Sequence, residues 1–533
     1  MNHTFNLAQE PWVPVIRLDG SADELSLHDL LVQAHNLREV FDPSPAVTLA
    51  LYRLAVAILH WIYGVETEDE WVGLWKRECF PPEPIIDYFR DSKHLFDLFN
   101  PERPFWQVPE FVLKERSPQM QLFVEAVSGN NPVLFDHSLD DEPHPVTPAQ
   151  AARGLIVCQL LSLGMGQSGK PFIGGRQIVK SRLDRRDAPL ARGASLVLQG
   201  DNLHKTLTLN LLTRRFRGGF FESGLGNPIW ERDIDWTTDE AFKPGWVAHS
   251  LDYLEYLTVL SRWVRLIPKP DEHGKTVVRR LYLTQGVVVP KDFKDPFKRY
   301  LRNKREGWTP VSFRADRALW RDSAVWFEVS DVADTKNHPP EPLRQAQAWV
   351  LNGILDHSDT LHLRIMGLGT KPGKAAAVQF WRSETLAMPM TFLADETLVP
   401  KLSVALDWAE NGAADLDKTV RRMIHQILAV EQGGGDKERV EKQIANLSPT
   451  RRYWPRLEEP FNRLIDTLPG DPEIAYVNWM EEIIRAMRDS FDATAGMLPR
   501  RARELQAIVA ARGVLEGKIT NLKSISLFNE ENV

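Results

Sequence analysis

The C-terminal part of this chain constrains its fold most, because after Pro389 it consists of long amphipathic runs separated by short breaks rich in Gly and Pro. Apolar residues recur in each run at the spacing that gives an α-helix one apolar face. Short connections place consecutive helices antiparallel, so the pattern predicts an antiparallel, four-helix-type bundle, with Asp471 as one N-cap. The predicted helices are Glu396–Asn411, Asp415–Val430, Pro455–Leu468, Pro472–Thr494 and Pro499–Leu515.

The residues before Pro389 mix helical and strand-like patterns without a repeating β–α–β order. Helical spacing of apolar residues predicts buried helices at Pro45–Tyr63 and Pro148–Leu163, and Ser26 can cap a further short helix. The strand-like runs lie at 12–18, 277–283, 325–329, 361–368 and 376–381. We therefore predict the α+β class, with a mixed N-terminal domain at 1–388 and the helical bundle at 389–533.

Composition places the chain among globular proteins. Its 533 residues, 43% of them hydrophobic, suffice for one large core and a second domain. No apolar run reaches the roughly 20 residues that a membrane helix needs, and the N-terminus lacks a signal-peptide pattern. The two cysteines, Cys79 and Cys158, lie too far apart for a Cys-based zinc site. We expect a cytoplasmic protein without zinc.

Positive charge is concentrated in two segments of a chain whose net charge is −7. Residues 166–217 hold 11 Lys and Arg against 3 Asp and Glu, and residues 262–321 hold 16 against 6. Such local excess is typical of a polyanion-binding site. The alternative is that these basic segments pair with acidic ones inside the fold, and composition does not decide between the two.

Gly164–Lys170 matches the literal phosphate-loop pattern G-x-x-x-x-G-K. The pattern requires Ser or Thr next, and this chain has Pro171; it also requires a strand before the loop and a helix after it. A nucleotide-binding enzyme is therefore the weaker alternative, and a glycine backbone that approaches a nucleic-acid phosphate or groove edge is favoured. The candidate residues are Gly164, Gly166, Ser168, Gly169 and Lys170.

Two further segments could contact nucleic acid. The basic run at 275–282 predicts a strand or hairpin from which Lys275, Arg279 and Arg280 could reach phosphates or a minor groove. The alternative is an edge strand whose charges prevent aggregation. The Gly- and Pro-rich loop at 367–377 could insert beside a base pair, although an ordinary exposed turn is equally compatible. Its candidate residues are Lys371, Lys374, Ala375 and Ala376.

A long polar loop at 128–148 has the length of a functional or disordered segment. His137 and His144 flank an acidic run in a spacing that could hold a metal. A solvated acidic loop is the better interpretation, because the helical H-E-x-x-H arrangement is absent from the sequence.

Several stretches together resemble the CasA family, the large subunit of the type I-E CRISPR surveillance complex Cascade. They follow one another in the family's order over nearly the whole chain, and a helical bundle comes after them. They are residues 5–7 (FNL), 10–15 (EPWVPV), 100–107 (NPERPFWQ), 129–131 (GNN), 134–137 (LFDH), 188–193 (APLARG) and 318–322 (ALWRD).

The resemblance implies a non-catalytic subunit, and we expect neither a cofactor nor a metal. Family members lie near the 5′ end of the crRNA, recognise the protospacer-adjacent motif (PAM) in double-stranded DNA, start strand separation and help to recruit a helicase-nuclease. The implied partners are target DNA, the crRNA 5′ handle, the backbone, 5′-handle-capping and small subunits, and the helicase-nuclease. The alternative within this framework is a purely structural scaffold subunit.

The resemblance also assigns roles to the candidate segments. Gly164–Lys170 corresponds to the family's glycine-rich loop, Arg279 or Arg280 to its basic finger, and Lys374–Ala377 to its wedge. The loop that contacts the RNA end region corresponds to Asn130, Asn131, Phe135 and His137. The sequence departs from the family at the wedge, where many members carry a Gln, and it lacks the cysteine pairs that hold zinc in some members.

Overall fold

The computed structural model describes residues 3–123, 144–164, 170–178, 186–217, 224–290, 293–305, 307–329, 336–370, 378–432 and 437–529. The chain divides into two compact units. The first comprises Met1–Arg317, Val329–Leu355 and Leu361–Leu386. The second comprises Ala387–Val533 and also Ala318–Glu328 and Asp356–Thr360, two stretches that the sequence division placed in the first domain.

Helices occur in both units. Those of the described chain are α1 Leu27–Val32, α2 Pro45–Tyr63, α3 Glu68–Trp75, α4 Pro82–Asp91, α5 Pro148–Leu161, α6 Leu203–Leu209, α7 Arg214–Arg217, α8 Tyr253–Leu257, α9 Ser323–Phe327, α10 Glu341–Leu351, α11 Thr391–Ala394, α12 Leu398–Gln432, α13 Lys437–Leu447, α14 Pro449–Tyr453, α15 Glu458–Thr467, α16 Pro472–Ala495 and α17 Ala502–Asn529.

Strands lie in the first unit, apart from the ends of the last two. They are β1 Val13–Arg17, β2 Ala22–Leu25, β3 Leu37–Val40, β4 Ser117–Pro118, β5 Phe172–Ile173, β6 Arg176–Gln177, β7 Ala194–Gln199, β8 Arg262–Pro270, β9 Thr276–Gln285, β10 Tyr300–Asn303, β11 Gly307–Pro310, β12 Asn337–His338, β13 Thr360–Thr370 and β14 Val378–Pro389.

The described strands form small sheets rather than one large sheet. Their orders are β2-β1-β3, β11-β10-β12, β14-β13-β7, β4-β9-β8 and β5-β6. The registers resolved within these sheets are antiparallel. Small antiparallel sheets among helices define the α+β class, so the predicted class is confirmed.

Helix α2 is the core helix of the first unit. Its start follows the sequence signals, because the Ser44 side chain accepts a hydrogen bond from the Val47 N–H (3.4 Å) and Pro45 occupies the first turn. Gly64, at φ 55°, ends it in the left-handed conformation. By length and composition alone this helix could cross a membrane. However, 83% of its apolar 18-residue stretch is buried inside the protein, as in a core helix.

The second unit is the predicted bundle. Helices α12 and α16 run in the same direction, since the Tyr476 hydroxyl donates to the Lys401 carbonyl (3.0 Å) and the Trp479 indole donates to the Ala405 carbonyl (2.7 Å). Helix α17 runs opposite to α16, because Arg488 pairs with Glu516, while Asp492, one turn later in α16, pairs with Arg512, one turn earlier in α17. This alternation is the four-helix-type arrangement expected from the short connections.

One boundary prediction in the bundle was wrong. The runs predicted as two helices, Glu396–Asn411 and Asp415–Val430, form the single helix α12. Glycine occupies position 412 inside this helix because there is no room for a larger side chain. A Cβ there would lie 2.8 Å from the Tyr453 hydroxyl. The glycine allows close packing of helices and does not end α12.

Another prediction failed at residues 325–329, which were expected to form a strand. They belong largely to helix α9, in which Trp326 and Phe327 are buried. A short apolar run of this kind has too few residues to show whether its period is that of a strand or a helix. Helices α13 and α14 were not predicted, and α17 extends beyond the predicted end at Leu515 to Asn529.

Candidate nucleic-acid interface

The β8–β9 hairpin carries the predicted basic finger. Its turn is fixed by Asp271, whose carboxylate accepts hydrogen bonds from the backbone N–H groups of His273 (2.9 Å) and Lys275 (2.8 Å). These bonds lower the pKa of Asp271. Gly274 takes the positive φ of 76° that the turn needs. Lys275 is thus exposed beside a well-defined hairpin tip.

A β-bulge places two consecutive basic residues outside the core. Ile267 pairs with Arg280 and Pro268 pairs with Val278, so Arg279 is the extra residue of β9. Bulges interrupt the strict alternation of side chains, and proline is found in strands at such positions. As a result Arg279 is exposed and Arg280 is half-buried, while Val278 on one side is fully buried.

The base of the hairpin depends on a close approach of two backbones. A Cβ on Gly286 would lie 2.2 Å from the carbonyl oxygen of Leu260, closer than any side chain can come. The Gly286 N–H donates to the Ser261 carbonyl at 2.9 Å. Glycine is therefore the residue that lets the chain leave β9 at this point.

Described residues before the long polar loop and at its C-terminal end pair with the finger. On its N-terminal side, Ser117 and Pro118 of β4 pair with Leu281 and Arg280. On its C-terminal side, Val146 exchanges backbone hydrogen bonds with Val278 at 2.9 and 3.0 Å. The predicted residues Asn130, Asn131, Phe135 and His137 lie outside the described residues, but both anchors of their loop contact the strand that holds Arg279.

The glycine-rich segment starts at the base of the same hairpin. Helix α5 precedes it, and the Gly164 N–H donates to the Asp187 carboxylate at 2.6 Å. Lys170 is exposed, and two residues later Phe172 of β5 exchanges backbone bonds with Val112 at 2.9 and 3.0 Å. The remaining candidates of this segment, Gly166, Ser168 and Gly169, lie outside the described residues.

A phosphate-loop enzyme would have a strand before this segment and a helix after it. Here helix α5 comes before it, and the short β5–β6 hairpin comes after Pro171. The secondary structure on both described sides is thus different from that of a nucleotide-binding phosphate loop.

The predicted wedge follows β13 and precedes β14. Its candidates, Lys371, Lys374, Ala375 and Ala376, are outside the described part of the chain. The strand that leads to them is fixed by its neighbour, because Gly367 pairs with Ala194 of β7. A Cβ on Gly367 would lie 2.6 Å from the Gly193 carbonyl oxygen, so glycine is needed for this contact.

Residues 187–194 connect the described starts of the glycine-rich segment and the wedge hairpin; we call them the strap. At one end Asp187 accepts from Gly164, and at the other Ala194 pairs with Gly367. Between them, the Lys298 ammonium group donates to the carbonyls of Pro189 (2.7 Å) and Arg192 (2.6 Å). The 188–193 stretch noted in the sequence is therefore the structural link between two predicted contact segments.

Charge at the interface is smaller than the sequence count suggests. Arg217, Arg262, Lys298 and Arg299 are each at most 3% exposed. Burial lowers the pKa of Lys298 to about 8, and it lowers the pKa of Arg262 as well. These four cations support the fold and cannot meet a polyanion. Among the described residues, the exposed cations on or near the hairpin, the glycine-rich segment and the strap are Lys114, Arg116, Lys170, Arg176, Arg192, Lys269, Lys275 and Arg279.

Sequence reasoning missed the residues that organise this interface. Arg262 and Lys298 were counted only as charge, and Asp187 was not singled out. Pro268 was the one available signal for the bulge, since proline inside a strand indicates an edge or a bulge. In the described part of the chain, no group of three or more His, Cys, Asp or Glu could hold a metal ion; His137 of the proposed acidic loop is outside it.

The fold and the interface together define a class: a large α+β protein with a helical unit and a basic hairpin to which several loops are anchored. A family model for the CRISPR-associated protein Cse1 (CRISPR_cse1) matches residues 6–490. The chain belongs to this Cse1 family, and the resemblance to the CasA family drawn from the sequence is confirmed.

Individual relatives agree with the family assignment. The CRISPR-associated protein CasA/Cse1 of Thermus thermophilus is 28% identical over 517 residues, which cover 95% of each chain. The crystal structure of Cse1 from Acidimicrobium ferrooxidans matches with a TM-score of 0.79 and 21% identity, covering 98% of this chain and 99% of that one. A chain of a structure described as a CRISPR RNA-guided surveillance complex matches with a TM-score of 0.71 and 23% identity, covering 96% and 99%. At such identities the two structural matches show the fold.

Proposed function

We propose that this chain is a non-catalytic subunit of the RNA-guided antiviral complex Cascade, that it recognises the PAM in double-stranded DNA, and that it promotes strand opening and helps to recruit the helicase-nuclease. The observation that carries the proposal is the β8–β9 hairpin. It presents Lys275, Arg279 and Arg280 and also anchors the polar loop and the glycine-rich segment.

The hairpin suits contact with a DNA backbone and minor groove. Arg and Lys on a β-ribbon can reach phosphates or enter the minor groove, whose pattern of donors and acceptors is degenerate. A glycine-rich segment next to such a ribbon allows its backbone to approach base edges closely. Recognition of this kind tolerates several related motifs, while base pairing with the crRNA reads the remaining sequence.

The other candidate segments complete the proposed mechanism. The wedge, with Lys371, Lys374, Ala375 and Ala376, would enter the duplex next to the motif and separate the strands. The polar loop, with Asn130, Asn131, Phe135 and His137, would contact the crRNA 5′ handle. The strap supports this arrangement, because it joins the described ends of the wedge strand and the glycine-rich segment.

A nucleotide-binding enzyme is the second candidate that the literal Gly164–Lys170 pattern raises. The helix before this segment and the β-hairpin after it argue against that function. In a purely structural scaffold, the Lys and Arg side chains of the basic segments would be buried within the fold. Four of them are buried, but Lys275 at the hairpin tip and Lys170 before β5 are exposed, which favours the DNA-binding proposal.

The test replaces both bulge arginines by alanine, Arg279→Ala with Arg280→Ala, in the complete crRNA-loaded complex. Each lost phosphate contact removes about 0.9 from the slope of log K against log salt, so the double variant should lower the magnitude of that slope by up to about 2. Binding of a PAM-containing duplex, measured at four or more salt concentrations, gives the slope.

The matched control is Arg90→Ala with Lys93→Ala, which removes two exposed positive charges at the end of α4 and just after it. It should leave the slope unchanged. If the double bulge variant also keeps the wild-type slope, the finger does not contact DNA phosphates and the proposed interface is wrong.

A further inference from the structure

Arg262, the first residue of β8, has an unusual environment for an arginine. Its side chain is fully buried, and its hydrogen bonds go to backbone carbonyls. Nη1 donates to Ser261 at 2.7 Å, while Nη2 donates to Ser162 at 2.9 Å, to Leu163 at 3.0 Å and to Arg186 at 3.4 Å. One buried nitrogen thus faces three carbonyl oxygens from two distant parts of the sequence.

A buried guanidinium without a paired carboxylate is costly, because desolvation is offset only by its hydrogen bonds. Asp187 is close enough to act on Arg262 electrostatically, but its carboxylate is bonded to the Gly164 N–H and to the Arg192 side chain. An apolar residue of similar size would fill the same space at lower cost. The carbonyl contacts are therefore what this arginine supplies to the protein.

Those contacts close a loop. Ser162 and Leu163 stand at the N-terminal end of the segment that leads through Gly164–Lys170, and Arg186 stands at its C-terminal end. The strap reinforces the closure, since the Ala188 N–H donates to the Ser162 carbonyl at 2.8 Å. Arg262 thereby holds the start of the glycine-rich segment next to Arg186, which follows the β5–β6 hairpin in the sequence, and it joins both to the start of the β8–β9 hairpin.

We infer that Arg262 is a positioning residue for PAM recognition, which holds the base of the glycine-rich segment in register with the β8–β9 hairpin. The inference rests on the proposed function. It distinguishes discrimination between motifs from general affinity for DNA. Arg262 is too deeply buried to contact a phosphate, whereas Lys275 and Arg279 are exposed. Loss of Arg262 should reduce discrimination between motifs and leave affinity for DNA without the motif unchanged.

The test compares Arg262→Met and Arg262→Lys in the reconstituted complex. Each complex is titrated with two duplexes that differ only in the PAM, and the ratio of the two Kd values measures discrimination. Loss of a buried charged donor corresponds to about a tenfold effect, so Arg262→Met should lower the ratio about tenfold. Arg262→Lys retains a charged donor and should restore part of it.

A second measurement reports on the closure without DNA. Amide hydrogen exchange of Gly164 and Ala188, whose N–H groups close the loop base, should become faster in Arg262→Met. The control is Arg217→Met, which removes another buried arginine that donates to a backbone carbonyl, that of Val65 at 2.8 Å. The control should lose stability without a change in the Kd ratio or in those two amides.

The outcomes are distinct. If the wild-type complex discriminates and Arg262→Met discriminates equally well, the inference is wrong and the proposed function stands. If Arg217→Met lowers the ratio as much, general destabilisation explains the effect and the inference is again wrong. A wild-type complex that does not discriminate at all overturns the proposed function, and the positioning role with it. Unchanged exchange at Gly164 and Ala188 would show that Arg262 does not hold the loop base.

Discussion

At the scale of single residues, the structure separates cations that support the fold from cations that can meet a ligand. Arg262 and Lys298 donate to backbone carbonyls in the interior, whereas Lys275 and Arg279 are exposed. All four lie in the same basic segment of the sequence. Local charge therefore indicated the segment that carries the candidate interface, but burial depends on tertiary contacts that a sequence window does not contain.

Lys298 provides a prediction about stability and pH. Its pKa falls from 10.5 to about 8 on burial, so between these pH values the folded protein has released a proton that the unfolded chain still binds. Stability then rises with pH across that window, by about 3 kcal/mol when complete. Denaturant unfolding of the wild type and Lys298→Met from pH 7 to 10 should show their difference in unfolding free energy shifting in favour of the wild type.

The comparison with Lys298→Met isolates this lysine from other groups that titrate at high pH. A difference that stays constant from pH 7 to 10 would mean that Lys298 has the pKa of an exposed lysine. Lys298 would then not be a buried side chain that holds the strap through the Pro189 and Arg192 carbonyls.

At the scale of elements, the sequence predicted several of the longest helices and strands, among them α2, α16 and β13, and it missed most of the shorter ones. It failed where packing overrides the local pattern. Ser26 and Asp471 cap their helices as expected, because N-cap chemistry is local. The bulge in β9 was not predicted, since its register depends on pairing with Pro268 of the other strand. The two helices predicted on either side of residues 412–414 are one helix, in which Gly412 marks a tight helix contact.

Gly412 gives a prediction in which packing opposes helix propensity. Alanine favours a helix by up to about 1 kcal/mol over glycine, but here the new Cβ would come within 2.8 Å of the Tyr453 hydroxyl and 3.1 Å of Ile483. Overpacking typically costs about 1–3 kcal/mol, so Gly412→Ala should be destabilising on balance. Thermal unfolding of the second unit, monitored by hydrogen exchange in α12, measures the change in stability.

Gly513→Ala in α17 is the matched control, because nothing lies within 4 Å of the Cβ it would add. This variant should stabilise the unit by up to about 1 kcal/mol. Equal stabilisation by both variants would contradict the tight contact at Gly412.

At the scale of the whole molecule, the sequence predicted the α+β class, the helical bundle and the family. It also predicted which segments to examine, and the structure anchors their described ends to one hairpin and one strap. The strap could not be foreseen, because it connects Gly164 with Gly367 through contacts between residues far apart in sequence. Long-range contacts of this kind have no periodic signal.

The two units should differ in their response to acid. His60, His204 and His338 belong to the first unit; burial lowers the pKa of His60 and brings those of His204 and His338 to about 4. Since the unfolded chain binds protons near pH 6.5, stability of this unit falls as the pH drops from 6.5 towards 4. The histidines of the second unit, His357 and His425, are exposed.

Pulsed hydrogen exchange after incubation at pH 4 to 7 should therefore show the first unit opening before the second. His204→Gln removes one acid-sensitive group and should reduce the loss of unfolding free energy by about 3 kcal/mol, the amount that a pKa change from 6.5 to about 4 represents. Simultaneous opening of both units at the same pH would contradict this account.

The most direct test of the central claim is target-duplex binding by the crRNA-loaded complex, with and without this subunit, on two duplexes that differ only in the PAM. We predict tight binding to the motif-containing duplex when the subunit is present, and loss of the difference between duplexes when it is absent. If both duplexes bind equally well with or without the subunit, this chain does not recognise the PAM, and the basic hairpin serves another purpose.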